Sequence, residues 1–135
     1  MRRYLLDTHI LIWHVYNQKK LSRQIVDEFE DYNNRLFLSR VSLMEIAIKN
    51  RDGKLQLEDD FETILQMIDK HWGIEILNIE NRHLITLSKL DYPEAHKDPF
   101  DHLLISQAIT DKICLISADK KMKYYTTQGL ELFEN

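Results

Sequence analysis

Four acidic residues stand where an alternating arrangement of strands and helices would bring their side chains together. Two of them follow apolar runs of strand length and two interrupt apolar helical stretches: Asp7, Asp119, Glu45 and Asp101, respectively. A carboxylate is costly to bury unless it is paired or binds a cation. A hard divalent cation, which prefers oxygen ligands, accounts for all four acids at once. The sequence therefore predicts a carboxylate metal site.

Strands and helices alternate along the chain and must position these acids. Short apolar runs predict strands at 3–7, 35–38, 74–79, 113–117 and 130–133. Apolar spacing and capping residues predict helices at 9–16, 21–32, 39–52, 59–72, 81–90 and 100–111, with a helical turn at 120–124. Such an order is typical of a mostly parallel sheet covered on both faces. In these sheets sites form beyond the carboxyl ends of the strands, where Asp7 and Asp119 are expected.

Four segments of the chain resemble the PIN domain. They are Leu-Leu-Asp-Thr-His-Ile-Leu-Ile-Trp (5–13), Ser-Leu-Met-Glu-Ile-Ala-Ile-Lys (42–49), Asp-Pro-Phe-Asp-His-Leu-Leu-Ile-Ser-Gln-Ala (98–108) and Ile-Ser-Ala-Asp (116–119). More narrowly, they resemble the VapC-type toxin ribonucleases of bacterial toxin–antitoxin pairs. The similarity covers the whole chain, in order and at the spacing typical of the family.

The resemblance implies a single α/β domain over residues 1–135, a three-layer α/β/α sandwich with a five-stranded parallel sheet. It also implies a Mg²⁺- or Mn²⁺-dependent endoribonuclease that acts on RNA, is inhibited by a small antitoxin protein and forms a homodimer. The implied catalytic and metal-binding residues are Asp7, Glu45, Asp101 and Asp119. The supporting residues are Ser117, which matches a small hydroxyl residue two places before the last acid, together with Asp98 and Thr8. His102 departs from the pattern, because related chains usually carry Arg there.

Phosphodiester cleavage is chemistry that such a site can perform. The reaction needs an activated water and a positive charge against the phosphoryl and leaving oxygens, and a carboxylate-held divalent metal provides both. Carboxylate ligands suit magnesium or manganese. The six histidines do not favour zinc, since His9 and His14 do not share a helical face as an i,i+4 pair would and no cysteine pair accompanies His96 and His102.

Each acid also has a purely structural interpretation. Asp7 and Asp119 could cap the segments that follow them, and Asp101 could act only at the positive end of its helix. Glu45 lies three residues after Ser42, which matches a capping box. Asp98 precedes Pro99, so we expect Asp98 to be an N-cap with Pro at the first helical position.

Basic and aromatic residues near the acids suggest contacts with partners. Arg40, Lys49, Lys54 and Lys120 are the candidates for phosphate contact in RNA, although surface lysines and arginines are often only solvated. The run 10–16 contains Trp13 and Tyr16 and holds more apolar surface than one helix face can bury. Part of it is expected to line a groove for an antitoxin segment, or else to belong to the core.

Composition limits the class of protein. The chain has 135 residues, 44% hydrophobic and 30% charged, which is typical of a globular domain. A net charge of −4 gives no overall basic field for nucleic acid. The single cysteine, Cys114, excludes an intrachain disulfide and fits a reducing compartment. The N-terminus lacks the apolar segment of a signal peptide and no run is long enough for a membrane span, so a cytoplasmic location is expected.

Other functions remain as alternatives. A phospho-accepting receiver would carry adjacent acids after its first strand, and a haloacid-dehalogenase-type phosphatase would carry Asp-x-Asp, but Thr8 and His9 follow Asp7 here. A PIN domain could also act alone in RNA processing, without an antitoxin. An inactive PIN fold that serves only as a binding module is disfavoured by the complete acid set.

Overall fold

Five parallel strands form the central sheet of the protein, whose computed structural model describes residues 1–135. The strands are β1 (Arg3–Leu6), β2 (Arg35–Ser39), β3 (Ile74–Leu77), β4 (Cys114–Ser117) and β5 (Leu132–Glu134). Their order across the sheet is β3-β2-β1-β4-β5, and every pairing is parallel. The central strand β1 therefore lies between β2 and β4, at the point where the strand order reverses, which is where α/β sheets form their sites.

Six α-helices cover the sheet, and the predicted α/β fold is confirmed. They are α1 (Thr8–Tyr16), α2 (Arg23–Glu30), α3 (Arg40–Arg51), α4 (Phe61–Lys70), α5 (Asn81–Ser88) and α6 (Pro99–Asp111), with 3₁₀ segments at Gln18–Lys20 and Lys120–Gln128. The second helix is shorter than predicted because Ser22 accepts the N–H of Ile25 at its start, while Asp31 accepts the N–H of Asn33 in the turn that follows it. The predicted helical turn at 120–124 is a longer 3₁₀ segment.

Alternation along the strands divides the core between the two faces of the sheet. Tyr4 and Leu6 of β1 pack in one cluster with apolar residues of α1 to α4. Leu5 points to the opposite face and packs with α6 and the 3₁₀ segment Lys120–Gln128. The predicted three layers follow from this division, because an apolar residue on each face needs a covering helix. No helix is long and apolar enough to cross a membrane.

Helix α3 follows β2 without a loop, which fixes where its side chains point. The side chain of Ser39, the last residue of β2, accepts the N–H of Val41 and caps the helix. The helix ends at Arg51, and Gly53 follows with φ +71°, a left-handed conformation that glycine adopts without strain. Residues in the middle of α3 therefore lie beside the start of α1, at the carboxyl edge of β1.

Candidate functional site

A cleft of about 410 Å³ opens at the carboxyl edge of the sheet, and we call it the acid cleft. Its walls carry five carboxylates and one ammonium group, so its net charge is strongly negative. The lining residues are Asp7, His9, Trp13, Glu45, Lys49, Asp98, Asp101, Ala118 and Asp119. The four acids named from the sequence therefore lie around one cavity. An uncompensated cluster of this kind attracts a cation.

Asp7 follows β1 and is held by two donors. Its Oδ1 accepts the backbone N–H of Thr8 (2.8 Å), and its Oδ2 accepts the hydroxyl of Ser117 (2.7 Å). Asp7 thus caps α1 and also lines the acid cleft, so the capping and site interpretations hold together. Burial raises the pKa of Asp7, against the lowering effect of the hydrogen bonds from Ser117 and Thr8.

Ser117 connects the acids that follow the two neighbouring strands β1 and β4. While its hydroxyl donates to Asp7, its Oγ accepts the backbone N–H of Asp119 (3.0 Å). The carboxylate of Asp119 accepts the N–H of Lys121 (3.0 Å) and caps the 3₁₀ segment Lys120–Gln128. Because β1 and β4 pair in register from Tyr4 to Leu6, both acids leave the same edge of the sheet.

Glu45 faces the start of α1 from the middle of α3. The hydroxyl of Thr8 donates to its Oε1 (2.6 Å), and Lys49, one turn later in α3, donates to its Oε2 (2.8 Å). The capping-box interpretation with Ser42 does not hold, because Ser39 is the cap of α3 and Ser42 lies inside the helix. The hydrogen bond to Glu45 raises the pKa of Lys49, so this side chain stays charged at the edge of the cleft.

Asp101 lies in the first turn of α6 with a histidine against one of its oxygens. Its Oδ2 is 2.8 Å from Nε2 of His96, a residue of the loop that precedes the helix. Burial raises the pKa of Asp101 to about 6, and the contact with His96 opposes that rise. The nearby carboxylates of Asp98 and Asp7 raise it further. A cation bound beside Asp101 would offset the free-energy cost of keeping this carboxylate ionised.

Asp98 is the N-cap of α6, as expected, and it also borders the acid cleft. Its Oδ1 accepts the N–H of Phe100 (2.9 Å), and Pro99 is the first helical residue. His102 is buried away from the cleft, where its Nε2 contacts the carbonyl oxygen of His96 (2.7 Å). This contact links the start of α6 to the preceding loop, and His102 does not line the acid cleft.

Of the basic candidates for RNA contact, only Lys49 lines the acid cleft. The guanidinium of Arg40 donates to the side-chain oxygen of Asn78 (3.0 and 3.2 Å) at another surface. Lys54 is exposed beyond the end of α3, and Lys120 is exposed immediately after Asp119. The structure therefore brings one of the four to the cleft wall.

Three residues of the site were not recognised as such from the sequence. His9 and Trp13 lie four residues apart on one face of α1, and both line the cleft. The centroids of their rings are 5.9 Å apart. This i,i+4 spacing after Asp7 is the signal that could have indicated them. His96 had no such signal, since it lies in a loop that periodicity does not describe.

The donors in the cleft fit a hard divalent cation. Ligand atoms of His96, Asp101 and Asp119 lie within 4.8 Å of one another, and Asp7 and Glu45 line the same cleft. Carboxylate oxygens are the ligands that magnesium and manganese prefer, whereas an imidazole ligand would favour zinc or nickel. Burial, and to a smaller extent the charges of neighbouring carboxylates, raises the pKa values of Asp7 and Asp101, and a bound cation would offset both effects.

The contribution of Asp101 to thermal stability without metal is expected to fall as the pH rises from about 4 to about 6. The pKa of Asp101 is raised from its usual value near 4 to about 6, so within this range the folded state binds more protons than the unfolded state. The stability that protonation gives is complete at low pH and is lost as Asp101 ionises. In the presence of a chelator, we expect a steeper fall of the unfolding midpoint in the parent than in Asp101→Asn. Circular dichroism melts across this range check the difference, and equal slopes would contradict it.

Comparison with known proteins agrees with this fold. The family model of the PIN domain matches residues 4–127, so the chain belongs to the PIN-domain family. The predicted family is confirmed. Comparison with the curated proteins gives no match. Members of the PIN family are generally nucleases and typically use divalent metals.

Several solved structures share the fold over nearly the whole chain. VapBC2 from Rickettsia felis, bound to a DNA fragment from its promoter, is similar with a TM-score of 0.69 and 19% identity over 98% of both chains. VapBC-1 from nontypeable Haemophilus influenzae has a TM-score of 0.68 and 20% identity, covering 98% of this chain and 97% of that chain. DNA-bound VapBC from Salmonella typhimurium has a TM-score of 0.68 and 16% identity, covering 99% and 98%. At these identities the likeness shows a common fold.

Proposed function

We propose that this chain is a VapC-type PIN domain, a metal-dependent endoribonuclease that acts as the toxin of a toxin–antitoxin pair. The observation that carries the proposal is the acid cleft, in which Asp7, Glu45, Asp101 and Asp119 converge at the carboxyl edge of the sheet. The fold shared with VapBC structures supports the toxin assignment. The domain extends over residues 1–135, and a cytoplasmic location follows from the proposed class of protein.

The four acids are proposed to hold Mg²⁺ or Mn²⁺. When bound there, the cation would supply a water of lowered pKa and would neutralise charge on the phosphoryl oxygens of an RNA phosphodiester bond. Ser117 orients the carboxylate of Asp7 through its hydroxyl, and Thr8 does the same for Glu45. These neutral donors fix the carboxylates without removing their charge, which preserves their attraction for the cation.

Lys49 is proposed to contact the phosphate that enters the cleft. Its ammonium group is 2.8 Å from Oε2 of Glu45 and is partly exposed. Lys49 is the only lysine or arginine in the wall of the cleft. A phosphate oxygen near Glu45 would accept a hydrogen bond from the same ammonium group. Arg40, Lys54 and Lys120 remain candidates for more distant phosphates of the same RNA strand.

Incubation of the purified protein with RNA, with and without magnesium, tests the proposed activity. Cleavage is expected in magnesium and absent after chelation, and Asp7→Asn is expected to be inactive in both conditions. A suitable control is Asp60→Asn, because Asp60 caps α4 away from the cleft by accepting the N–H of Thr63. Cleavage that persists in Asp7→Asn would point to a contaminating nuclease or to another site.

A free-standing PIN nuclease of RNA processing is the second candidate function. It would use the same acid cleft, and the neighbouring gene distinguishes it from a toxin, because a toxin requires an adjacent antitoxin gene.

The proposed homodimer can be tested by solution scattering, with twice the 16.2 kDa chain mass as the expected result.

The outer face of α1 is proposed to contact the antitoxin. Trp13 and Tyr16 are both partly exposed, and the ring of Trp13 lines the acid cleft. A segment that covers Trp13 would therefore also cover the entrance for RNA. We expect Trp13→Ser to weaken inhibition by the product of the adjacent gene, while Trp72→Phe should have little effect because Trp72, which like Trp13 packs partly against the core, lies outside the acid cleft. Inhibition assays with the purified partner check this, and equal inhibition of the parent and Trp13→Ser would exclude this surface.

A further inference from the structure

His96 is a buried histidine that lies between the acid cleft and the core. Only 2% of its surface is exposed, yet both ring nitrogens have partners. Its Nε2 is 2.8 Å from Oδ2 of Asp101, and its Nδ1 is 2.8 Å from the hydroxyl oxygen of Tyr125, which is fully buried. The carbonyl oxygen of His96 also contacts His102, so the loop that carries the ring is fixed.

The positions of the protons follow from the donors and acceptors present. The hydroxyl hydrogen of Tyr125 has Nδ1 of His96 as its partner, and leaving a buried hydroxyl hydrogen unpaired costs roughly 1–3 kcal/mol. With Nδ1 accepting from the hydroxyl, the ring proton lies on Nε2, and a doubly protonated ring would carry a proton there as well. Nε2–H then donates to Oδ2 of Asp101.

A neutral donor also holds one oxygen of two other acids of the cleft. Oδ2 of Asp7 accepts from the hydroxyl of Ser117, and Oε1 of Glu45 accepts from the hydroxyl of Thr8. The second oxygen of each is also held, by the N–H of Thr8 in Asp7 and by the ammonium group of Lys49 in Glu45. In Asp101 the other oxygen, Oδ1, accepts no hydrogen bond from the protein and the residue faces the cleft.

We propose that His96 is a positioning residue whose tautomer is set by Tyr125, so that it orients Asp101 and does not itself bind the cation. The inference rests on the proposed function in that the cation belongs to the acid cleft. His96, Asp101 and Asp119 have ligand atoms within 4.8 Å of one another, so His96 could either bind a cation or only orient Asp101. The position of its proton distinguishes these two roles. A nitrogen that carries a proton cannot coordinate, and this group therefore presents only the carboxylate oxygens of Asp101 and Asp119 to a cation. Oxygen ligands select magnesium or manganese over zinc and nickel.

Nitrogen NMR of the ¹⁵N-histidine-labelled protein tests the tautomer directly. The signals of His96 are assigned as those that disappear in His96→Gln, and we expect a protonated Nε2 both without metal and with Mg²⁺. In Tyr125→Phe, which keeps the ring but removes the hydroxyl, the preference for Nε2–H should decrease. An unprotonated Nε2 whose signal shifts when Mg²⁺ is added would overturn the proposal, since it would make His96 a ligand.

Binding of Mn²⁺, followed by the loss of the free-ion EPR signal, tests the positioning role without using activity. His96→Gln places an amide N–H near the position of Nε2 and should keep the affinity close to that of the parent. His96→Leu should weaken binding about 10- to 100-fold. Equal affinity in His96→Leu and the parent would contradict the role, and if His96→Leu does not fold, the NMR result still decides the question.

A parent that cleaves RNA but has an unprotonated, metal-shifted Nε2 would refute this inference alone. A parent that binds Mn²⁺ as expected but cleaves no RNA would refute the proposed function alone.

Discussion

Replacement of Asp101 by Asn is expected to reduce RNA cleavage by about 10²- to 10³-fold, the effect of removing one electrostatic group from an active site. The side chain is nearly the same size, and the cap of α6 belongs to Asp98, so the helix should stay intact. Loss of a desolvated carboxylate should leave the metal-free fold at least as stable as the parent near neutral pH. Single-turnover cleavage of a labelled RNA, with melting curves of both proteins, measures the two effects separately.

Asp98→Asn is the matched control for this prediction. Asp98 also lines the acid cleft, three residues before Asp101, but its side chain accepts the N–H of Phe100. Asparagine caps helices about as well as aspartate. Cleavage and stability should therefore both stay near the values of the parent. If Asp98→Asn loses cleavage and Asp101→Asn keeps it, the roles of these two acids are reversed.

Millimolar Mn²⁺ or Mg²⁺ is expected to raise the unfolding midpoint of the parent by about 4 °C at a concentration tenfold above the dissociation constant. The cation binds the folded state, in which the carboxylates converge, and offsets the burial and the charge repulsion that raise the pKa of Asp7 and Asp101. Asp7→Asn removes one charge from the cluster and should show a smaller rise. Differential scanning fluorimetry over a metal titration gives both values.

Sodium chloride at matched ionic strength serves as the control for this metal effect. Sodium chloride should not reproduce the rise, since screening alone does not bridge carboxylates. A parent that shows no stabilisation at a magnesium concentration where it cleaves RNA would count heavily against a cation held by these four acids.

The sheet and two of the acids were predictable because local signals determine them. The alternation of buried residues in β1, such as Leu5 against Leu6, requires cover on both faces of the sheet. A residue one or two positions after a parallel strand must lie near its carboxyl edge, and Asp7 and Asp119 stand at such positions after β1 and β4. The bridging position of Ser117 between them matches the supporting role implied by the resemblance to the PIN domain.

Other contacts depend on tertiary geometry that short-range patterns do not encode. The bond from Thr8 to Glu45 joins residues 37 positions apart and requires α1 and α3 to pack side by side. His96 lies in a loop, so its contact with Asp101 has no periodic signal. Arg40 lies in the same helix as Glu45, but it is at the first position of α3 and bonds to Asn78. Proximity in sequence therefore overestimated the number of basic residues at the cleft.

Cleavage of RNA in ¹⁸O-labelled water tests the central claim, hydrolysis at a cation held in the acid cleft, most directly. The account predicts that cleavage requires Mg²⁺ or Mn²⁺, is lost in Asp7→Asn, and incorporates one ¹⁸O atom into the new terminal phosphate, because water is the attacking group. Cleavage that proceeds unchanged in a chelator would contradict hydrolysis at a bound cation. A 2′,3′-cyclic phosphate without ¹⁸O would contradict attack by water, because the ribose hydroxyl would then be the attacking group.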